Sequence, residues 1–506
     1  MIIAQEILAA KSEELHETVD QLLAIVAEGI QCKTPIHEIE SKTFNTLLQA
    51  GRATVQLLID CLGDGDQGPQ YQLPDGKMLQ RSEQPQTRPY VSIFGPMHVE
   101  RFVYAPRKGQ KIEFAELDAR LALPESKFSY LLQDWDQNFS MEQPFDKVSQ
   151  TVERILGLQQ HVDSLERMNR HMAQPVEAYQ AAQTPPPREE EGQIFVQTAD
   201  GKGVPIRRPA DAPPIEDHQH RSGPKPDRKK MATVAAVYSV DRFVRTPEEV
   251  AESLFRDPQE DRPKRQRPRP CHKRMRAMLN HTDADGQEIY GCAAVFGWMA
   301  DEMAQRQGPT DKPIVNVMDG DEDLWTMRDR FQPNVSMVDV LDLLHVTPRL
   351  WDAAALFHQR GSRAAKTFVR DRVLRILKGE VEGVIRGLRR MATTHRVSAK
   401  RQHEVEKICT YFEKNRERMR YDEYLQAGYP IASGVIEGAC RHVVKDRLER
   451  TGMSWIPEGA QPMLELRCLY LTGQWDSYVE YRVEHQTKRL YPYRDALPSI
   501  PWSTAA

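Results

Sequence analysis

Three acidic residues stand where metal-dependent phosphoryl chemistry would need them. Asp200 closes an apolar run, QIFVQTA, and is followed by Gly201. Asp319 closes a second run, PIVNVM, and is followed by Gly320. Glu437 follows Ser433, a residue type that caps helices, in ASGVIEGACRHVVK. Carboxylates at strand ends lie on the rim of a sheet, where ligands bind in α/β folds. Hard cations take oxygen ligands and few of them from protein. Two strand-end carboxylates and one from a helix would hold two Mg²⁺ about 4 Å apart. Such a pair activates the attacking oxygen and stabilises the leaving oxygen of an in-line displacement at phosphorus. Plainer readings fit the same residues. Asp-Gly after a strand begins an ordinary turn, and a Glu near a helix start favours the helix dipole. Asp211, Asp321, Glu322, Asp323 and Asp342 compete as ligands.

The elements that must position these acids follow from hydrophobic periodicity. Residues 3–60 predict helices, with Ile7, Leu8, Leu15, Val19, Leu22, Leu23 and Val26 at helical spacing. Residues 63–86 read as loop, and RPYVSIF with MHVERFVY as a hairpin turning at Gly95-Pro96. Two helical patterns, Asp146 to Leu158 and His161 to Met172, have the spacing of a helix-turn-helix unit that could read a major groove. Pairs of packed helices without DNA also look like this. The Pro- and Glu-rich stretch 175–192 marks a linker. Beyond it QIFVQTA, GKGVPIR and KKMATVAAVYSVDRFV predict three strands, the first two joined by a tight Gly turn. A helix opens at Thr246-Pro247-Glu248-Glu249. PIVNVMDG and SMVDVLDLLH predict two more strands, the second ending near Asp342 and His345. Residues 347–428 read as almost wholly helical, and the last 50 as one helix (Gly459 to Leu471) with an aromatic tail.

The class is therefore α/β: a mixed sheet with a large helical insertion, preceded by a mostly helical region containing a β-hairpin. The expected boundaries are 1–120 for helices and hairpin, 121–180 for the helix-turn-helix region, 193–480 for the catalytic region with its insertion at about 347–428, and 481–506 for a tail.

Composition narrows the function classes. Hydrophobic residues make up 40% and charged residues 28% of 506, enough for sizeable cores under a solvated surface. No apolar stretch of about 18 residues predicts a membrane span, and the start lacks the pattern of a signal peptide. An intracellular protein with no membrane partner is expected. Seven scattered cysteines with no CxxC pair fit reduced thiols and give no zinc site. The net charge of −4 hides basic runs at 256–276, Arg207 to Lys230 and Arg386 to Arg401. Each would neutralise phosphates or serve as a solvated linker or helix face. Trp325, Trp351 and Trp455 read as core aromatics rather than base-stacking ones.

Several blocks resemble the ISKra-type insertion-sequence transposases, distant relatives of Mutator-like elements. They are QTADGKGVP, VAAVYSVDRFVRTPEEVAESLF, VMDGDEDLW, DLLHVTPRLWDAA, ASGVIEGACRHVVKDRLERTGMSW and GAQPMLELRCLYLTGQWDSY. Together they span about residues 193–480. The resemblance implies an RNase H-like fold and a metal role for Asp200, Asp319 and Glu437, with two Mg²⁺ (or Mn²⁺). Asp342-x-x-His345 is similar to the Cys/Asp-x-x-His signature of Mutator-like enzymes. His345 then reads as a hydrogen-bond partner behind the ligands or as a packed strand-end residue. Arg441 and Lys445, at i+4 and i+8 from Glu437, would grip phosphates on one helix face, or form a surface ion-pair ladder with it. Many relatives carry a cysteine-paired zinc ribbon after the hairpin. Here that place reads YAPRKGQ, Tyr104 to Gln110, without Cys, so no zinc is expected.

The function implied is that of a DNA transposase. It would cleave strands at the terminal inverted repeats of an insertion sequence and join them to target DNA. A homodimer or larger assembly on duplex DNA is expected, in the cytoplasm of a bacterial cell and at the nucleoid when bound. The alternatives are an RNase H-like nuclease that does not join, and a non-catalytic DNA-binding protein of transposon origin.

Overall fold

The computed structural model describes residues 8, 12–207, 229–256, 265–282, 286–307, 312–450 and 453–498. The expected helical start at 3–11 (save residue 8), Asp211, most of the Arg207 to Lys230 run, residues 257–264 of the run 256–276 and the end of the tail lie outside them. The chain forms two compact units, Met1–Tyr179 with Trp475–Ala506, and Gln180–Gln474. Residues 475–480, placed by the sequence with the catalytic region, cluster with the first unit.

The first unit begins with two antiparallel helices, α1 (Glu13–Cys32) and α2 (Ile36–Cys61). Lys33, in the left-handed region at φ 52°, closes α1, and Pro35 opens α2. Short strands follow: β1 (Gln70–Gln72), β2 (Met78–Arg81), β3 (Gln86–Ser92), β4 (Gly95–Arg101) and β5 (Tyr104–Ala105). Strands thus occur inside the stretch expected to be loop, because β1 and β2 pair with each other and β2 with β5. The hairpin turns at Ile93-Phe94, not Gly95-Pro96, since Ser92 pairs with Gly95. Gly95 takes φ 123°, which favours glycine there. At YAPRKGQ an aromatic cluster stands instead of cysteines. Tyr71 stacks on Phe114 with centroids 4.4 Å apart, and Tyr104 packs against both.

Helices α3 (Tyr130–Glu142), α4 (Phe145–Leu156) and α5 (Val162–Ala173) pack pairwise. Gly157, at φ 68°, ends α4. Buried polar contacts fix α3 on its neighbours: Gln137 donates to the Leu165 carbonyl (3.0 Å) and accepts from Asn169 (2.8 Å). The aromatic tail is in fact a helix, Trp475–Leu490. Its Trp475 donates to Asp134 (2.7 Å) and its Arg482 to Gln133 (2.6 Å), which explains why both side chains are buried.

The second unit is built on a five-stranded mixed sheet. Its members in chain order are β6 (Ile194–Pro205), β7 (Lys229–Val240), β8 (Cys271–Leu279), β9 (Ile314–Met318) and β10 (Val338–Leu341). Their spatial order is β10-β9-β6-β7-β8. β7 runs antiparallel to β6 and β8, while β9 runs parallel to β6 and β10. The first two sequence-expected strands are one strand. β6 passes through Asp200-Gly201 without turning, because β7 pairs with all of it from Ile194 to Pro205. The real third strand is β8, which begins within the basic run 256–276. Before it comes α6 (Pro247–Phe255), opened by the expected cap at Thr246. Arg274 is tolerated in β8 because Glu302 faces it at 2.8 Å from α7 (Gly291–Gln307).

One face of the sheet packs on α7 and α8 (Glu322–Phe331) through Phe195, Ala199, Ala235, Val295, Phe296, Met299 and Trp325. Each fully buried large apolar side chain contributes roughly 1.5–3 kcal/mol. The helical block runs α9 (Leu343–Phe357), α10 (Arg363–Leu377), α11 (Val381–Thr394), α12 (Ala399–Asn415) and α13 (Tyr421–Gln426). α14 (Gly434–Ala439) and α15 (Pro457–Leu471) complete the unit. Among the described residues no helix is long and apolar enough to cross a membrane.

Candidate active site

Strand register brings the acids together. β6 pairs with β9 through Asn316 and Gln197, and β9 with β10 through Met318 and Leu341. Continued forward, these registers set Asp200, Asp319 and Asp342 at one level of three adjacent chains. Successive strand residues alternate faces. Phe195 and Ala199 face α7, so Thr198 and Asp200 face the other way, toward α14.

A buried chain of hydrogen bonds ties these elements. Thr198 Oγ1 lies 2.6 Å from the Val317 carbonyl, to which it donates, and 2.8 Å from Ser433 Oγ. With its proton committed to the carbonyl, Thr198 accepts from Ser433. Ser433 Oγ accepts in turn from the Ile436 N–H at 3.3 Å, capping α14 as expected. The two oxygens of Asp342 accept from the Leu344 N–H (2.8 Å) and the Ser433 N–H (3.1 Å). Thr198, Ser433 and Asp342 are all buried. One network thus fixes the strand of Asp200, the strand before Asp319 and the helix of Glu437. Glu437 itself is exposed, one turn into α14.

Asp200 accepts from its neighbour's Gly201 N–H (2.7 Å), and Cys440 Sγ reaches its other oxygen at 3.5 Å. Asp319 accepts from the Asp321 N–H (3.0 Å), while Trp325 donates to the Asp319 carbonyl (2.7 Å). Burial pushes the Asp319 carboxyl above its ordinary range, and the negative charge of Asp200 adds to this. Burial pushes Asp342 up to about 6, helped by the charge of Glu437. Burial and the charges of Asp200 and Glu437 raise the Cys440 thiol as well. These couplings put Asp200, Asp319, Asp342, His345 and Glu437 in one electrostatic neighbourhood.

Some expectations need correction. Asp200 lies within a strand rather than at its end. His345 is not at a strand end either. Asp342 caps α9, so His345 falls in that helix's first turn, half-buried. Glu437, Arg441 and Lys445 do not line up on one α-helical face, because Cys440–Lys445 forms a π turn with longer-range bonding. Arg441 instead approaches Asp446 at 3.6 Å. Neither Gly201 nor Gly320 takes a positive φ, so neither Asp-Gly pair is a glycine-dependent turn. Trp325 is core, but Trp351 is 38% exposed and Trp455 half-buried, with Arg447 over its ring. In the third basic run, Arg389 is already paired with Glu406 and Glu413.

Residues the sequence reading passed over also shape the site. The Tyr411 ring covers Gly320 so closely that a Cβ there would collide with it. Its hydroxyl is pushed up to about 12, by burial first and then by Asp319. Thr198 had one legible signal, its even spacing from Asp200. Cys440 and Tyr411 had none.

The oxygen-only donor set and the mutual repulsion of its acids suit a divalent cation. As the side chains lie, no group of three or more His, Cys, Asp or Glu among the described residues is close enough to hold one. Asp200 and Asp319 each spend an oxygen on a nearby N–H. Neither a family model nor a curated protein matches this chain.

Proposed function

We propose that the second unit is an RNase H-like catalytic domain and the protein a DNA transposase that cuts and joins strands with divalent metal. The observation that carries this reading is the common level of Asp200, Asp319 and Asp342, with Glu437 delivered beside them by a helix tied into the same network. The sheet, three antiparallel strands continued by two parallel ones, is compatible with the fold that the transposase resemblance implies. The block-by-block resemblance supplies the substrate class.

In this reading Asp200, Asp319 and Glu437 would hold the metal, and Asp342 holds the scaffold. When bound, a pair of Mg²⁺ would polarise the attacking oxygen and stabilise the leaving one. Thr198 and Ser433 keep the Glu437 helix in register with the strands. Tyr411 and Trp325 fix the backbone of the loop after β9, so only the acidic side chains would have to turn to hold the metal. Water attack at an element end breaks a P–O3′ bond and leaves a 3′-hydroxyl. That hydroxyl attacks a target phosphodiester, whose own 3′-oxygen departs. Duplex DNA binds and at least two copies assemble, since two ends must meet. The α3–α5 helices of the first unit are the proposed end-reading element.

The test is strand cleavage of labelled duplex carrying the element ends in Mg²⁺, with Asp319→Asn for comparison. Wild type should cut and join. The variant should bind the ends and leave them intact. Cutting without joining would favour the nuclease reading, and end binding with no cutting by wild type the non-catalytic one.

A further inference from the structure

The α1–α2 hairpin leaves much of its apolar surface in water. Val19, Leu23, Val26 and Ile30 of α1 are 46, 65, 57 and 76% exposed. Their 4-3-4 spacing is that of a coiled-coil seam. Helical patterning alone assigns Val19, Leu23 and Val26 to a core, yet α2 covers a different face, where Thr18 and Ile25 are buried.

The exposed side chains of α2 extend this surface. Glu28 pairs with Lys42 (2.7 Å) and Glu14 with Arg52 (3.8 Å). At 3.6 residues per turn these ion pairs occupy one edge of the contact between the helices. The exposed α1 residues project from the opposite edge, and so do Ile36 and Leu47 of α2, with Phe44 farther round on its outer side. The α1 part of this surface holds no charged residue, whereas on α2 exposed Glu40 stands one turn from both Ile36 and Phe44 and edges the apolar patch. At about 60–120 Å² per side chain, the seven offer roughly 400–850 Å² per copy before any polar rim. A standard interface takes about 800 Å² per partner.

We propose that this face is a self-association surface, on which α1 packs antiparallel against α1 of a second copy about a two-fold axis. A two-fold contact needs one patch that complements itself, and a heptad seam does. Charge sets the direction. Glu13, Glu14, Glu17 and Asp20 crowd the start of α1, and exposed Lys33 follows its end. Antiparallel packing separates the acidic ends and brings each toward the partner's Lys33, whereas parallel packing would stack acid on acid. This inference does not depend on the catalytic reading.

Sedimentation velocity of the full chain without DNA tests it, at about 1–50 µM, where a standard interface should hold. The wild type should sediment as twice the 58.1 kDa chain. Leu23→Glu with Ile30→Glu should be monomeric at the same concentrations, with unchanged circular dichroism and melting temperature. The milder Leu23→Ala, Ile30→Ala pair should weaken the dimer at least tenfold. A monomeric wild type would overturn the proposal, as would a dimer that survives both glutamates. Dimerisation only after deletion of residues 1–11 would overturn it too, by placing the chain's own start on the face.

Discussion

Asp342 accepts a backbone N–H on each carboxylate oxygen and has almost no contact with solvent. Asparagine could satisfy only one of those donors, since its amide nitrogen would face the other. A buried unmet donor costs about 1–3 kcal/mol. Asp342→Asn should therefore lower stability by about that much and slacken the start of α14. Cleavage should then need more Mg²⁺ for its half-maximal rate, whereas a purely structural loss would lower the melting temperature and leave that Mg²⁺ value in place. Asp136 in α3 makes the opposite case. Burial pushes its carboxyl up to about 7, although Gln160 donates to one oxygen at 3.0 Å. The other oxygen has no partner, nor does Oε1 of Gln160. A proton on Asp136 would serve both. Between the ordinary value of 3.8 and about 7 the folded chain holds this proton and the unfolded chain does not. Stability from this group is thus full at acid pH and falls as pH rises, by roughly 4 kcal/mol at most. Asp136→Asn should be more stable than wild type above pH 7 in urea unfolding, with the difference shrinking toward pH 4. A variant less stable at pH 8 would contradict this.

The elements that carry the acids were only partly legible in the sequence. The runs around Asp319 and Glu437 were clear, because β9 is apolar throughout and Ser433 is a strong cap. β6 was read as two strands because Asp-Gly is locally a turn signal, and only pairing with β7, more than thirty residues on, overrides it. β8 was missed because Lys273, Arg274 and Arg276 look like linker. Yet Met275, Ala277 and Leu279 alternate with Arg274 and Arg276 as a half-buried strand should. The partner that makes Arg274 affordable, Glu302, lies on another element. In the same way Glu191, in the Glu-rich linker, is buried in a paired contact with Arg306 at 2.8 Å. Gly320 shows how a correct residue can be read for the wrong reason: it is small because Tyr411 lies on it. Gly320→Ala should displace Tyr411 and destabilise the second unit by about 1–3 kcal/mol. Adding Tyr411→Ala should recover part of that loss in a double-mutant cycle. Additive losses would mean the two do not meet.

At the scale of the whole chain, the first unit is assembled from both ends of the sequence. Trp475, Tyr478 and Arg482 are buried in it, 300 residues and more beyond the helices they contact. No local pattern announces such a return, so boundaries drawn from sequence blocks cut through the last helix. The second unit lies between the two crossings and contains every proposed catalytic acid. The central claim is that these acids act together on DNA, and Glu437 tests it best, because it alone comes from a helix. The measurement is strand cleavage of labelled element-end duplex in Mg²⁺ by wild type and Glu437→Gln, with binding followed on the same DNA. The account predicts that both bind the ends and only the wild type cuts, with the variant reduced by at least about 100-fold, the loss typical of a group essential to the transition state. Equal cutting by the two proteins would contradict it.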